Sequence, residues 1–172
     1  TGKLIISGTG AMDDYEKSNR PWQSIKSKIR EIVIVDGVTS IGEYALYDCT
    51  LKTITIPDSV TAIGDFAFKN CTNLESITIP TGVTTIRYQT FYNCKALKTV
   101  TIPEGVKTIS TGAFENCSGL TKVFIPLSVT SIAYDSFYNC AKLKDVYYAG
   151  TEEDWKWSSL YSAISGATKH YE

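Results

Sequence analysis

Five cysteines are the residues in this chain with the most chemistry to offer, and Cys49, Cys71, Cys94, Cys117 and Cys140 stand 22, 23, 23 and 23 residues apart. Thiols can bridge, hold metal or attack as nucleophiles. Here the number is odd, no CxxC pair occurs, and the regular spacing puts all five in one structural column. Coils about 4.8 Å apart would bring two of them within bridging distance, but side chains running parallel in register point the wrong way to join. Metal ligation lacks a second imidazole, because the only histidine is His170, in what reads as a tail. The expectation is a column of buried, reduced thiols acting as small hydrophobes.

Catalytic arrangements fail on the same inventory. A nucleophile and base pair needs a histidine oriented by a third group, and "GATKH" marks nothing of the kind. The acids of "TEEDW" suit a helix amino terminus. "SGTGAM" lacks the glycine spacing and the βαβ context of a phosphate loop. The chain therefore reads as non-enzymatic, with no cofactor and no metal. Seventeen Lys and Arg against eighteen Asp and Glu give a net charge of −1, and no basic run exceeds two residues. That balance argues against a nucleic-acid partner. No apolar run approaches the roughly 20 residues of a membrane span, so membrane insertion is not expected. The first residue is Thr1 rather than Met, and the chain reads as an excised piece, so a secretion signal would have lain upstream. With 43% hydrophobic residues, 172 residues can bury one sizeable core as a single domain.

The elements that carry the cysteines repeat with them. Eight residues before each Cys stands Ile41, Ile63, Ile86, Ile109 or Ile132, and three before it Leu46, Phe68, Phe91, Phe114 or Phe137. Val38, Val60, Val83, Val106 and Val129 form a column eleven before it, and Leu51, Leu74, Leu97, Leu120 and Leu143 follow it. Segments such as "SITIP" alternate polar and apolar, the period of a short strand with one buried face, ended by its proline. The half leading to the Cys has roughly helical spacing, enough for one or two turns. Asp48, Asn70, Asn93, Asn116 and Asn139 precede the cysteines and tolerate the left-handed conformation that closes such a turn. One unit cannot bury its apolar columns, whereas a stack of units makes a continuous core.

The pattern LxxIxIPxxVxxIGxxAFxxC resembles the BspA-type leucine-rich repeat of bacterial surface proteins over about residues 31–148. "GKLIISGTGAMDDY" with "PW" is similar to the amino-terminal cap of such proteins, and "VYYAGTEEDWKW" to their carboxy-terminal cap. The resemblance implies an α/β solenoid: a right-handed leucine-rich-repeat superhelix with about six parallel strands on a concave sheet and short helical turns on the other side. Residues 1–30 would be the amino-terminal cap, 31–148 the repeats and 149–172 the carboxy-terminal cap of one domain. The usual asparagine column falls on Ser59, Gly82, Gly105 and Ser128, which removes an asparagine ladder from the expectation. Capping has a physical basis too, since a stack's open ends expose apolar columns and strand edges. Leu4 to Ser7 can form a strand, and Pro21 can start a helix that lays Trp22, Ile25 and Ile29 on the first coil. At the far end a capping box of Thr151 and Asp154 would open a short helix carrying Trp155, Trp157, Leu160 and Tyr161 onto the last coil.

The outward strand positions form two columns on the sheet. One reads Glu31, Thr53, Ser76, Thr99, Lys122, Asp145; the other Val33, Thr55, Thr78, Thr101, Phe124, Tyr147. The Thr-rich half suits an exposed strand, whereas Lys122, Phe124, Asp145 and Tyr147 have the composition of binding hot spots. Resemblance to BspA-type adhesins implies a non-enzymatic interaction or adhesion module, extracellular or on the cell surface, binding a protein or glycan, with host extracellular matrix among the candidates. Its expected ligand-binding residues are Thr53, Thr55, Ser76, Thr78, Thr99, Thr101, Lys122, Phe124, Asp145 and Tyr147, and it is expected to be a monomer. A structural spacer of a larger surface protein is the alternative, and an ice-binding Thr array the third. A second surface comes from tyrosines 47, 92 and 138 in one column and 88 and 134 in another, suited to recognition by large contact area at small entropic cost.

Overall fold

The computed structural model describes residues 2–156, 164 and 166–171 of the 172-residue chain. Trp157, Leu160 and Tyr161 lie outside the described residues. Each repeat lays one extended segment on the front face, and the strands formed there run parallel because every unit winds the same way round. β1 (Lys3–Ile6), β3 (Glu31–Ile34) and β5 (Thr53–Thr55) make one ladder; β8 (Thr99–Thr101), β10 (Lys122–Ile125), β12 (Asp145–Tyr148) and β13 (Thr168–Tyr171) make another. Between the two ladders, segment 76–79 buries Ile79 and exposes Ser76 and Thr78, but it joins neither. The protein is thus a solenoid of parallel strands, about six turns long.

A second ribbon runs along the molecule that the helical reading of this half of the repeat did not anticipate. It comprises β2 (Gly10–Ala11), β4 (Val38–Ile41) and β6 (Ala62–Ile63), then β7 (Thr85–Ile86), β9 (Thr108–Ile109) and β11 (Ser131–Ile132). "VTSI" and its counterparts bury a β-branched Val and a β-branched Ile three residues apart, and the short strand ends on that buried Ile. The chain then approaches the previous coil closely. A Cβ on Gly64 would stand 2.6 Å from the Glu43 nitrogen, and one on Gly42 only 1.8 Å from the Asp13 oxygen.

From that ribbon to the Cys the backbone is wound as successive turns rather than as a regular helix. Alternate amides look inward and outward along the stack: Phe66, Phe68 and Asn70 donate to Tyr88, Thr90 and Tyr92 of the next coil, while Ala67, Lys69 and Cys71 donate three residues back. A helix would spend all of these amides within its own coil, and the stack would lose its main-chain bonds on this side. The geometry requires left-handed residues, and Asp48, Asn70, Asn93, Asn116 and Asn139 all have φ between 58° and 64°, as their type suggested. Their side chains also form asparagine contacts that the expectation had removed. Asn93 Nδ2 donates to Asn70 Oδ1 at 2.9 Å, and Asn139 Nδ2 to Asn116 Oδ1 at 2.6 Å. Ser59 and Ser128, on the column where asparagine was sought, instead donate to the carbonyls of Val38 and Val106, each at 2.9 Å.

The core is a set of ladders of like residues. Phe68, Phe91, Phe114 and Phe137 stack with centroids 5.2 Å apart at each step. Beside them the five thiols are free, four buried and Cys140 partly exposed. Sγ of Cys71, Cys94, Cys117 and Cys140 donates to the carbonyl of Leu46, Phe68, Phe91 and Phe114 at 3.0 to 3.3 Å. A small, polarisable side chain with one weak donor fits a buried site that presents it a single carbonyl.

The amino-terminal segment closes the first coil by supplying what a preceding coil would have supplied. Inner coils offer the carbonyls of positions such as Asp65, Ala67 and Lys69 to amides of the coil before. In the first coil the equivalent carbonyls belong to Glu43, Ala45 and Tyr47. They accept from the Tyr15 amide at 2.9 Å, from Trp22 Nε1 at 2.8 Å and from Arg20 Nη1. Trp22 and Ile29 are buried, flanking a 3-10 turn at Gln23–Lys28, but Ile25 is 43% exposed and does not share the covering face expected of it. At the other end Thr151 and Asp154 make the reciprocal capping box, Thr151 N to Asp154 Oδ2 at 2.9 Å and Asp154 N to Thr151 Oγ1 at 3.2 Å. They open α1 (Glu152–Lys156), which buries Trp155 against Tyr148.

Candidate functional site on the strand face

Outward residues of the front sheet are aligned in the expected columns by the ladder register. Glu31 pairs with Thr53 and Val33 with Thr55; Lys122 pairs with Thr99 on one side and Asp145 on the other, and Phe124 with Thr101 and Tyr147. Thr53, Thr55, Ser76, Thr78, Thr99, Thr101, Lys122 and Phe124 are exposed, while Asp145 and Tyr147 are half-buried. Thr53 and Thr55 stand on one ladder, Thr99 and Thr101 on the other, with the unladdered Ser76 and Thr78 between. The threonines therefore do not share one continuous hydrogen-bonded sheet.

The last three coils carry a different surface. Phe124 and Tyr147 stack at 4.7 Å with 14° between their planes, and Tyr147 stacks on His170 at 4.4 Å and 12°. Centroid spacings this close to the separation of neighbouring strands arise because in-register parallel strands set like positions directly beside one another. Sequence reasoning dismissed His170 as a tail residue. The chain instead returns after α1 and adds β13 to the sheet edge, placing Thr168 beside Asp145 and His170 beside Tyr147. His170 Nε2 lies 3.0 Å from Asp145 Oδ1. The signal for this was present in "TKHY", whose alternation matches the earlier strands and which begins 23 residues after Asp145, but the cysteine column stops before it, with Ala163 at the next position.

Beside the rings lies a groove of about 280 Å³ lined by Thr101, Pro103, Glu104, Phe124, Pro126 and Tyr147, among others. Gly150 permits the adjoining packing, since a Cβ there would stand 2.6 Å from the Tyr148 ring. Among the described residues no group of three or more His, Cys, Asp and Glu side chains is placed to hold a metal ion. The thiols are unsuited to nucleophilic chemistry as well: burial pushes Cys49 to about 11 and Cys140 to about 12, and raises Cys71, Cys94 and Cys117 too.

On the turn side, Tyr88, Tyr134 and Tyr138 are exposed and Tyr47 and Tyr92 half-buried. Tyr44 stacks on Phe66 at 4.5 Å, and Lys69 Nζ stands 4.4 Å from the centroid of Tyr92. Burial lowers the Lys69 pKa, and the charge of Lys17 lowers it further.

Six copies of the BspA type leucine rich repeat match residues 24–146. The chain belongs to the BspA-type leucine-rich repeat family. Among solved structures, this BspA-type solenoid is similar to a leucine rich cell surface protein of Faecalibacterium prausnitzii, at 32% identity and TM-score 0.76, over 87% of this chain and 38% of that one. The chain thus spans well under half the length of that relative. It is also similar to the Treponema pallidum leucine rich repeat protein, at 26% identity and TM-score 0.70, covering 95% of this chain and 76% of that one. The pneumococcal vaccine antigen PcpA, at 21% identity and TM-score 0.63 over 77% of this chain and 33% of that one, shares the fold. No curated protein sequence matches. This BspA-type domain is therefore a leucine-rich repeat unit of the kind found in bacterial surface proteins, a class consistent with protein interaction. No described helix is long and apolar enough to cross a membrane.

Proposed function

We propose that residues 1–172 form one non-enzymatic recognition domain of a bacterial surface protein, binding a protein or glycan outside the cell through the carboxy-terminal half of the strand face. The observation that carries this is the ladder of Phe124, Tyr147 and His170 on an open sheet, with Phe124 37% exposed. A ring left on a solvated face forgoes the free energy of burial, and aromatic rings preordered by stacking lose little entropy when a partner covers them. Lys122 and Asp145 on the adjoining column supply charge beside the rings. The thr-rich positions Thr53, Thr55, Ser76, Thr78, Thr99 and Thr101 extend the surface toward the amino terminus and contribute less, having neither ring area nor charge. The domain acts as a monomer.

The test is binding of the domain to an array of host matrix proteins and glycans beside the Phe124→Ala/Tyr147→Ala variant. A hit that weakens at least tenfold in the variant, with the melting temperature nearly unchanged, is expected. Binding unaffected by the double substitution would place recognition elsewhere. No hit from a folded sample would favour a spacer role.

A further inference from the structure

The groove beside the ring ladder has a composition that selects among partners. Its polar side chains among the described lining residues are Thr101, Glu104, Tyr147 and Tyr148, and Glu104 alone is charged. Glu104 is exposed, and among the described residues it takes part in no ion pair. Pro103 and Pro126 hold the same position in successive repeats, where the chain leaves the sheet and a missing amide costs no ladder bond. The groove therefore offers rings, proline rings and one carboxylate.

Two of its main-chain amides are spent between coils, and its two prolines have none to offer a partner strand. The Ile102 amide donates to Phe124 O at 2.9 Å, and the Ala149 amide to Ile125 O at 3.0 Å, so the backbone along the groove is already paired between coils. A partner lying here must leave its own backbone to water. Polyproline II chain does so, having no internal hydrogen bonds and little conformational entropy to lose. Three coils are two steps of about 4.8 Å, which gives a groove roughly 10 Å long and matches about three residues of such a chain at about 3.1 Å per residue. Aromatic walls are the usual complement of proline-rich segments.

Building on the reading of this face as a recognition surface, we infer that the groove takes a short extended, proline-containing segment of a partner protein, with an Arg or Lys of that segment reaching Glu104. Phe124 and Tyr147 hold the apolar residues, and Glu104 fixes the direction of the chain by pairing with the cation. A glycan would need several planar polar side chains to meet its hydroxyls, and the groove has one carboxylate.

A phage-displayed library of random decapeptides selected on the 172-residue chain, with counter-selection on Phe124→Ala/Tyr147→Ala, tests this. The expected output is enriched in proline and in Arg or Lys. Selection on Glu104→Lys, an exposed change that leaves the fold intact, should replace the basic residue by Asp or Glu, and a synthetic basic peptide from the first selection should bind that variant at least tenfold more weakly. Recovered peptides without basic enrichment, or a preference unchanged by Glu104→Lys, would overturn the inference. If no peptide is recovered while the array still yields a partner lost in the double alanine variant, the recognition surface stands and the peptide assignment falls. If the array yields nothing as well, both fall.

Discussion

Raising the pH should unfold this domain through its cysteine column. Each thiol ionises near 9.0 in unfolded chain, whereas burial holds Cys49 to about 11 and Cys140 to about 12, and raises the three deeper thiols as well. A group whose folded pKa is raised gives its full stability below the unfolded value and loses it as the pH climbs toward the folded one. Over that window each thiol costs about 1.4 kcal/mol per pH unit, because only the unfolded chain releases its proton. At about pH 10.5, some 1.5 units above the unfolded value, five thiols together remove roughly 10 kcal/mol, comparable to the whole stability of an ordinary domain. The assay is urea unfolding under reducing conditions, followed by circular dichroism, between about pH 9.5 and 10.5. Tyrosine and lysine titrations contribute in the same range, so the comparison is with Cys71→Ala/Cys94→Ala, in which they are unchanged. Removing two thiols should flatten the dependence of unfolding free energy on pH by about 2.7 kcal/mol per unit. Equal slopes in the two proteins would mean that water reaches the column and that the thiols ionise in place.

Two further outcomes follow from the packing. Phe91→Ala removes a fully buried ring that stacks on both Phe68 and Phe114, and its cavity should cost about 3 to 5 kcal/mol in denaturant unfolding, against less than about 1 for exposed Tyr134→Ala. Arg20→Ala leaves the carbonyl of Tyr47, and that of Tyr44 at 3.2 Å, without the donor that closes the first coil. A loss of about 2 to 4 kcal/mol, with faster amide exchange confined to the first coil, is expected; a loss spread evenly over all coils would contradict the capping role.

Much of this architecture was legible in the chain because a solenoid turns sequence period directly into space. Val60, Ile63, Phe68, Cys71 and Leu74 are all buried, and each meets its own counterpart in the next coil, so the columns found at 23-residue spacing are the core. The left-handed turn before each cysteine was legible for a local reason, since few residues accept positive φ and asparagine is one of them. The outward columns followed from strand alternation alone, and the ladder register from Thr99 to Asp145 is the one expected.

Tertiary structure decided what depends on neighbours rather than on period. The half-repeat with helical spacing became turns because its amides bond more usefully to the next coil than to their own, a choice invisible until the coils are stacked. Nothing in the repeat pattern singles out Arg20, yet it is 3% exposed, since the first coil has carbonyls that no earlier coil satisfies. His170 lies one 23-residue period beyond Tyr147, but the capping helix and the loss of the cysteine and its apolar columns in between hide that period from a reading keyed on cysteine. Only the return of the chain to the sheet edge set its ring on Tyr147. The sequence by itself therefore determined the period, the buried columns and the outward face, because these are fixed by local residue pattern; the closed ends and the three-ring surface required the fold, because they are made by contacts that occur once.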